Sequence, residues 1–390
     1  MRIENVKILT MSETGTIENG YVEIENGKIV SVAPCEGEPS GLWLMPGFID
    51  GHTHLGMAED SLGFEGDDTN EMTDPVTPHL RSLDAINPME RCFSEAREGG
   101  VTCVGVAPGS ANPIGGQILV IKTNGYCIDD MVVTEPAAMK LALGENPKSA
   151  YHEKNQTPET RMATAAIIRE TLFKAKKYAE EKAKAEESLD KIKNGLAEPD
   201  DEIEPPAFDL KMEALIPLIE GKIPAHFHAH RADDIFTAIR ISKEFNLRYS
   251  IVHCTDGSVI ADKLASEKTT AFIGPNLCDR SKPELKEQSF KNPGVLSKAG
   301  VKFGLTTDHP VIPLQYLPLC ASLAVKSGMD YEEAIKSITI TPAQILGIDS
   351  RVGSIEAGKD ADIVITDGDP LDIKTNIVKV FIDGKNVLEA

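Results

Sequence analysis

Three of the chain's nine histidines stand in HFHAH, residues 226–230, with one residue between each. In an extended segment alternate side chains face the same way. Those imidazoles can therefore act together as metal ligands, or must find hydrogen-bond partners if buried without one. DGHTH, residues 50–54, repeats the pattern and turns Asp50, His52 and His54 to one side. Single candidates follow: Glu145 in GENP, His253 in IVHCTDG and Asp308 in TTDHP. Imidazole and carboxylate ligands at about 2 Å suit Zn²⁺, with Fe²⁺ and Mn²⁺ as alternatives. One or two such ions would generate a nucleophilic water near neutral pH. HxH alone is weak; histidines or carboxylates at five strand ends are a much stronger indication.

Such distant residues need elements that bring their ends together. Eight short apolar runs are present: MPGFIDGHTH, VTCVGVAPG, QILVIKTNG, AMKLALGEN, IPAHFHAH, YSIVHCTDG, TAFIGPN and VKFGLTTDH. Helical patterns separate most of them, as in ADDIFTAIRISKEFN, for which Asp233 or Asp234 is the expected N-cap. Eight β units with intervening helices predict an α/β fold with a parallel sheet closed as a (β/α)₈ TIM barrel. An open doubly wound sheet is the alternative. The chemically interesting residues fall at the C-terminal ends of the runs, where barrel enzymes place their sites. Residues 1–45 and 350–390 alternate apolar and polar positions and predict a small composite β domain, leaving 46–349 to the barrel. A charged insertion around 157–205 reads as one long helix over 160–195, with Ile168, Leu172, Ala175 and Ala179 as its apolar stripe and Gly195 as its stop. The acidic LAEPDDEIEPP follows as a loop. It reads as a surface element, with a lid or oligomer contact as the alternative.

Composition narrows the function. The chain has 390 residues, 41% hydrophobic, with a formal charge of −21. That charge argues against a nucleic-acid partner, which normally needs a basic face. No signal peptide or membrane-spanning run is visible. The seven cysteines show no CxxC pairing and no disulfide framework is expected. A cytoplasmic enzyme acting on a small molecule, with no membrane partner, is the expectation.

MPGFIDGHTH, the histidines of runs five and six, Asp308 of run eight and the ending VGSIEAGKDADIVITDGDP resemble the metal-dependent amidohydrolase superfamily over nearly the whole chain. The likeness is strongest to its imidazolonepropionase-related and prolidase-like members. It implies a (β/α)₈ barrel with a β-sandwich built from both termini, and often a homodimer. It makes His52, His54 and His253 metal ligands, and Asp308 both ligand and general base. The fifth-strand ligand should be a histidine; His228 fits best, with His226 deeper in the barrel and His230 a weaker ligand or substrate contact. On the fourth strand many members use a carboxylated lysine, others a glutamate. Glu145 is the expected ligand, since Lys140 reads as too deep, and Lys122 is assigned to substrate. GKDAD is expected to be structural.

Arg231 is a second substrate candidate, able to grip a carboxylate unless it pairs with Asp233 or Asp234. PGSANPIGGQ, residues 108–117, could wrap a substrate, and the acidic segment 65–88 is expected to cover the first strand, with Glu71 and His79 as outlying candidates. The implied reaction is hydrolysis of an amide, cyclic amide or peptide-like bond. Asp308 takes the proton of the attacking water and returns it to the leaving nitrogen. Deamination of a ring amidine is the alternative, although HxxE is missing after His228 and His230. A non-catalytic scaffold of the same fold is the remote one.

Overall fold

A computed structural model of the chain describes residues 1–60, 63–196 and 204–388. Most of the acidic loop after the long helix lies outside the described residues. The chain opens with β1 (Arg2–Leu9), β2 (Thr16–Glu25), β3 (Lys28–Pro34) and β4 (Trp43–Pro46). Eight strands follow: β5 (Phe48–Thr53), β6 (Val101–Val106), β7 (Ile114–Lys122), β8 (Val132–Ala142), β9 (Ala225–Ala229), β10 (Tyr249–His253), β11 (Thr270–Ile273) and β12 (Lys302–Leu305). The end of the chain supplies β13 (Ile363–Thr366), β14 (Ile377–Ile382) and β15 (Lys385–Asn386).

β5 to β12 form one sheet in sequence order, and each matches one of the eight apolar runs. β12 comes back beside β5. The seam there is held by side chains: Thr306 Oγ1 donates to the His52 carbonyl at 2.6 Å, and Thr307 donates from N and Oγ1 to Asp50, each at 2.7 Å. The sheet is therefore a nearly closed barrel. It departs from the all-parallel expectation at the third strand, since β7 runs antiparallel to both β6 and β8. Only residues 107–113 link β6 to β7. A parallel return needs a crossover of a dozen residues or more, so this short link can only make a hairpin.

The terminal strands form a second, seven-stranded sheet in the order β15-β14-β13-β4-β1-β2-β3. Its buried face carries Val6, Ile8, Val22, Ile24, Leu44 and Ile363. The long helix spans Arg161–Lys193, with Thr160 Oγ1 accepting from the Ala163 amide as the N-cap. Ile168, Leu172, Ala175 and Tyr178 make its buried stripe, against the helices Leu210–Ile219 and Ala232–Glu244. Tyr178 takes the place expected for Ala179, which is only partly buried. The helix Ala232–Glu244 has no side-chain N-cap: Asp234 is bound by Arg161 and Asp233 by Arg231. Among the described residues no helix is long and apolar enough to cross a membrane.

Candidate metal centre

The inner layer of the barrel is packed below the site. Phe272 on β11 fills its middle, with Ile49, Val120 and Val252 around it. Gly51, between Asp50 and His52, makes room for that ring: a Cβ there would lie 1.9 Å from Phe272 Cε1. His226 sits at this level, fully buried, its ring centroid 5.3 Å from that of Phe272. Above it the C-terminal ends of the strands gather His52, His54, His228, His230 and His253.

Two sets of ligand-type atoms converge there. One is His52, His54 and Asp308; the other is His228, His230 and His253. Asp308 Oδ1 lies 3.6 Å from His52 Nε2 and 3.5 Å from His54 Nε2. The ring centroids of His228 and His253 are 4.5 Å apart, and those of His230 and His253 stack at 4.4 Å. His52 and His253 stand 5.9 Å apart, so the two sets adjoin.

The far side of each outer ring is tethered. His54 Nδ1 donates to the Ala107 carbonyl and His253 Nδ1 to that of Gly274, both at 2.7 Å. A carbonyl can only accept, so Nδ1 carries the proton and Nε2 of the neutral ring keeps its lone pair. His228 Nδ1 meets Ser110 Oγ at 2.9 Å and His230 Nδ1 meets Thr255 Oγ1 at 2.7 Å. Orienting bonds of this kind accompany metal-binding histidines. Burial holds the pKa values of His52, His228, His230 and His253 well below the usual imidazole range, and takes His54 down to about 3. All five are neutral at pH 7, the form that ligates metals.

Two residues of these sets have left-handed backbone, His253 at φ 75° and Asp308 at φ 52°. For His253 this is decisive. In the β9–β10 register Val252 pairs with His228 and His253 with Ala229. Regular alternation would aim Val252 into the barrel and His253 at the helices. The left-handed turn brings His253 into the cluster, at a strain of about 1–3 kcal/mol per such residue.

Lys140, expected to lie too deep, reaches the site: its Nζ donates to His52 Nε2 at 3.1 Å. Burial drives the Lys140 pKa down and that of Asp308 up, each partly opposed by the other's charge. Glu145 is carried away. Gly144, at φ 89°, follows the strand as the N-cap, and Glu145 opens the helix Glu145–His152 outside both sets. Lys122 is nowhere near the mouth. It is buried between barrel and terminal sheet, on Asp360 at 2.8 Å, Asp362 at 3.1 Å and Asp383. Burial opposes its charge, but these carboxylates hold its pKa above the ordinary lysine value. Asp360 and Asp362 belong to GKDAD, the segment expected to be structural. Arg231 pairs with Asp233 at 2.9 and 3.0 Å and does not line the cavity.

The cavity over the two sets holds about 480 Å³. Ser110 lines it from the glycine-rich loop, and Asp67, Thr69 and Asn70 from the acidic segment after β5. Glu71 and His79 line a neighbouring cavity instead. Sequence reasoning missed two residues here. Lys282 is the one lysine or arginine among the described lining residues, and Glu284, buried beside it, lies 3.6 Å from His230 Nε2. Both come from SKPEL, whose composition reads as an ordinary polar loop.

The crystal structure of an amidohydrolase from Thermotoga maritima MSB8 superposes on the chain with a TM-score of 0.91, at 41% identity and with all of both chains covered. The chain belongs to the amidohydrolase family. The pattern of that family, the Amidohydrolase family, matches residues 211–387 of this amidohydrolase. The amidohydrolase tasK of Hapsidospora irregularis is 28% identical over 94% of this chain, which spans 39% of the length of that relative. The imidazolonepropionase of Acidiphilium cryptum is 25% identical over 92% of this amidohydrolase and 89% of its own length.

Proposed function

We propose that this amidohydrolase is a metal-dependent hydrolase that cleaves a carbon–nitrogen bond, in an amide, cyclic amide or peptide-like group, of a small substrate. One observation carries the reading: two ligand sets meet at one cavity, with His228 Nε2 and Asp308 Oδ1 buried and without hydrogen-bond partners. Buried polar atoms left so are costly unless something binds them. His52, His54 and Asp308 would hold one cation and the His228, His230 and His253 set a second, with Zn²⁺ first and Fe²⁺ or Mn²⁺ as alternatives. Lys140 replaces Glu145 as the fourth-strand ligand in this reading. The same reading treats the eight strands as a (β/α)₈ barrel with one strand reversed. Residues 1–45 and 350–390 make its β-sandwich partner, with 46–349 as the barrel.

A bound divalent ion supplies a Lewis acid and lowers the pKa of water. The protein supplies the rest. Asp308, with its pKa raised by burial, accepts the proton of the attacking water and delivers it to the leaving nitrogen. The carbonyl tethers of His54 and His253 put the proton on Nδ1 and leave Nε2, the atom that would bind an ion, toward the site. Lys282 at the rim is the cation able to hold an anionic substrate group, in place of Arg231 and Lys122.

Metal analysis of purified protein, with a screen of cyclic amides and dipeptides before and after chelation, tests this. Stoichiometric transition metal and chelator-sensitive hydrolysis are expected. Protein that neither holds nor takes up such a metal would overturn the reading. Ammonia release from ring amidines alone would move it to the deaminase alternative.

A further inference from the structure

We propose that Glu284 is a metal ligand, the carboxylate of the cation site formed by His228, His230 and His253. This rests on the metal-dependent reading above and extends it to a residue from the loop after β11.

The two ligand sets are built alike. In the first, an HxH pair at the end of β5 faces one carboxylate oxygen, Asp308 Oδ1, at 3.6 and 3.5 Å. In the second, an HxH pair at the end of β9 faces Glu284 Oε1 at 4.0 Å from His228 Nε2 and 3.6 Å from His230 Nε2. These separations are too long for hydrogen bonds. Ligands bound at 2.0–2.2 Å around a tetrahedral ion stand roughly 3.3–3.5 Å apart, close to what both sets show.

Glu284 is only 1% exposed. Its Oε2 accepts from the Glu145 amide at 3.1 Å. That bond accounts for one oxygen and ties the loop to the end of β8. Oε1 has no well-formed hydrogen bond, its one close partner being the Lys282 ammonium, and His228 Nε2 opposite it has no hydrogen bond at all. Lys282 Nζ lies 2.7 Å from Oε1, but it is a quarter exposed and also binds Asn146 Oδ1 at 2.6 Å, as a rim cation would. With neutral rings, a carboxylate lone pair points at imidazole nitrogens across a gap that a cation fits.

Zinc binding separates a ligand from a structural acid. Apoprotein is titrated with Zn²⁺ against a chromophoric chelator, for the wild type and for Glu284→Gln. Glutamine keeps the size and the acceptor for the Glu145 amide, so the tie to Glu145 survives while the ion pair with Lys282 is lost. The expected result is two zinc ions in the wild type, one of which binds Glu284→Gln at least tenfold more weakly while the other is unaffected. Two unchanged affinities in Glu284→Gln would overturn the assignment and leave the hydrolase reading standing. A wild type that binds no zinc would sink both. If the variant does not fold, anomalous scattering from zinc-soaked wild-type crystals decides. An ion about 2.2 Å from Glu284 Oε1 supports the proposal, and zinc on the His52, His54 and Asp308 set alone overturns it.

Discussion

Lys140 Nζ stands 3.1 Å from His52 Nε2, both residues fully buried, and Lys140 pairs in the β8–β9 register with His226. Its depth lets a long side chain rise to His52 from below. Burial lowers its pKa, so neutral amine is available, the form able to become the carboxylated lysine that stood beside glutamate as a fourth-strand alternative. Lys140→Met is expected to weaken metal binding by about ten- to a hundredfold, measured by metal analysis after gel filtration. Full metal content in that variant would reduce Lys140 to a packing role.

Asp308→Asn should lower kcat by at least ~10²-fold while the protein stays folded. Asparagine tolerates the left-handed backbone that Asp308 adopts, so strain is not the cause of any loss. Steady-state rates and a thermal melt on the same sample check both halves. Unchanged turnover would remove Asp308 as the base.

Thr255→Val removes the hydroxyl that orients His230 at almost no change in volume. If His230 is a ligand, one metal should bind about ten- to a hundredfold more weakly and the other as before. Chelator competition reads this directly. Identical affinities would return His230 to the substrate side.

Lys122→Met tests the placement of Lys122 away from the mouth. The buried carboxylate of Asp362 loses its cation, while Lys28 and Arg351 still serve Asp360. A stability loss of about 3–5 kcal/mol is expected from the urea midpoint, with metal content and turnover per folded molecule unchanged. A selective change in KM would show instead that Lys122 reaches substrate.

The histidines make the metal-free protein acid-sensitive. His226 has its pKa lowered by burial to about 3, below the unfolded value of 6.5. Its contribution to stability is therefore complete above pH 6.5 and is lost as pH falls toward 3, because only the unfolded chain takes up the proton. Each such group costs about 1.4 kcal/mol per pH unit in that window. His226→Gln should make the fall in unfolding free energy between pH 6.5 and 5 shallower by about 2 kcal/mol, read from urea curves of apoprotein. An unaltered slope would mean that His226 titrates alike in both states.

Much of the site is written in local spacing. The HxH pairs, the run ending in His253 and the TTDHP stretch name the ligand-type residues that the folded chain gathers at the barrel mouth. Spacing also overreaches. Glu145 ends an apolar run just as Asp308 does, yet the left-handed turn at Gly144 sends it into a helix. Lys122 lies at the far end of β7, because the hairpin reverses that strand and delivers its C-terminal end to the bottom of the barrel. Read as parallel, the same strand would have carried Lys122 to the mouth.

Sequence alone determined the eight strands, the pairing of both termini in one sheet and the identity of most candidate ligands. Those depend on alternation, apolar runs and residue type, which are properties of short segments. Tertiary structure decided the direction of the third strand, the inward turn of His253, the reach of Lys140 and the arrival of Glu284 beside His228 and His230. Each depends on backbone turns and on contacts between segments far apart in the chain, where a left-handed residue or a short link changes which side chain arrives without changing the local pattern.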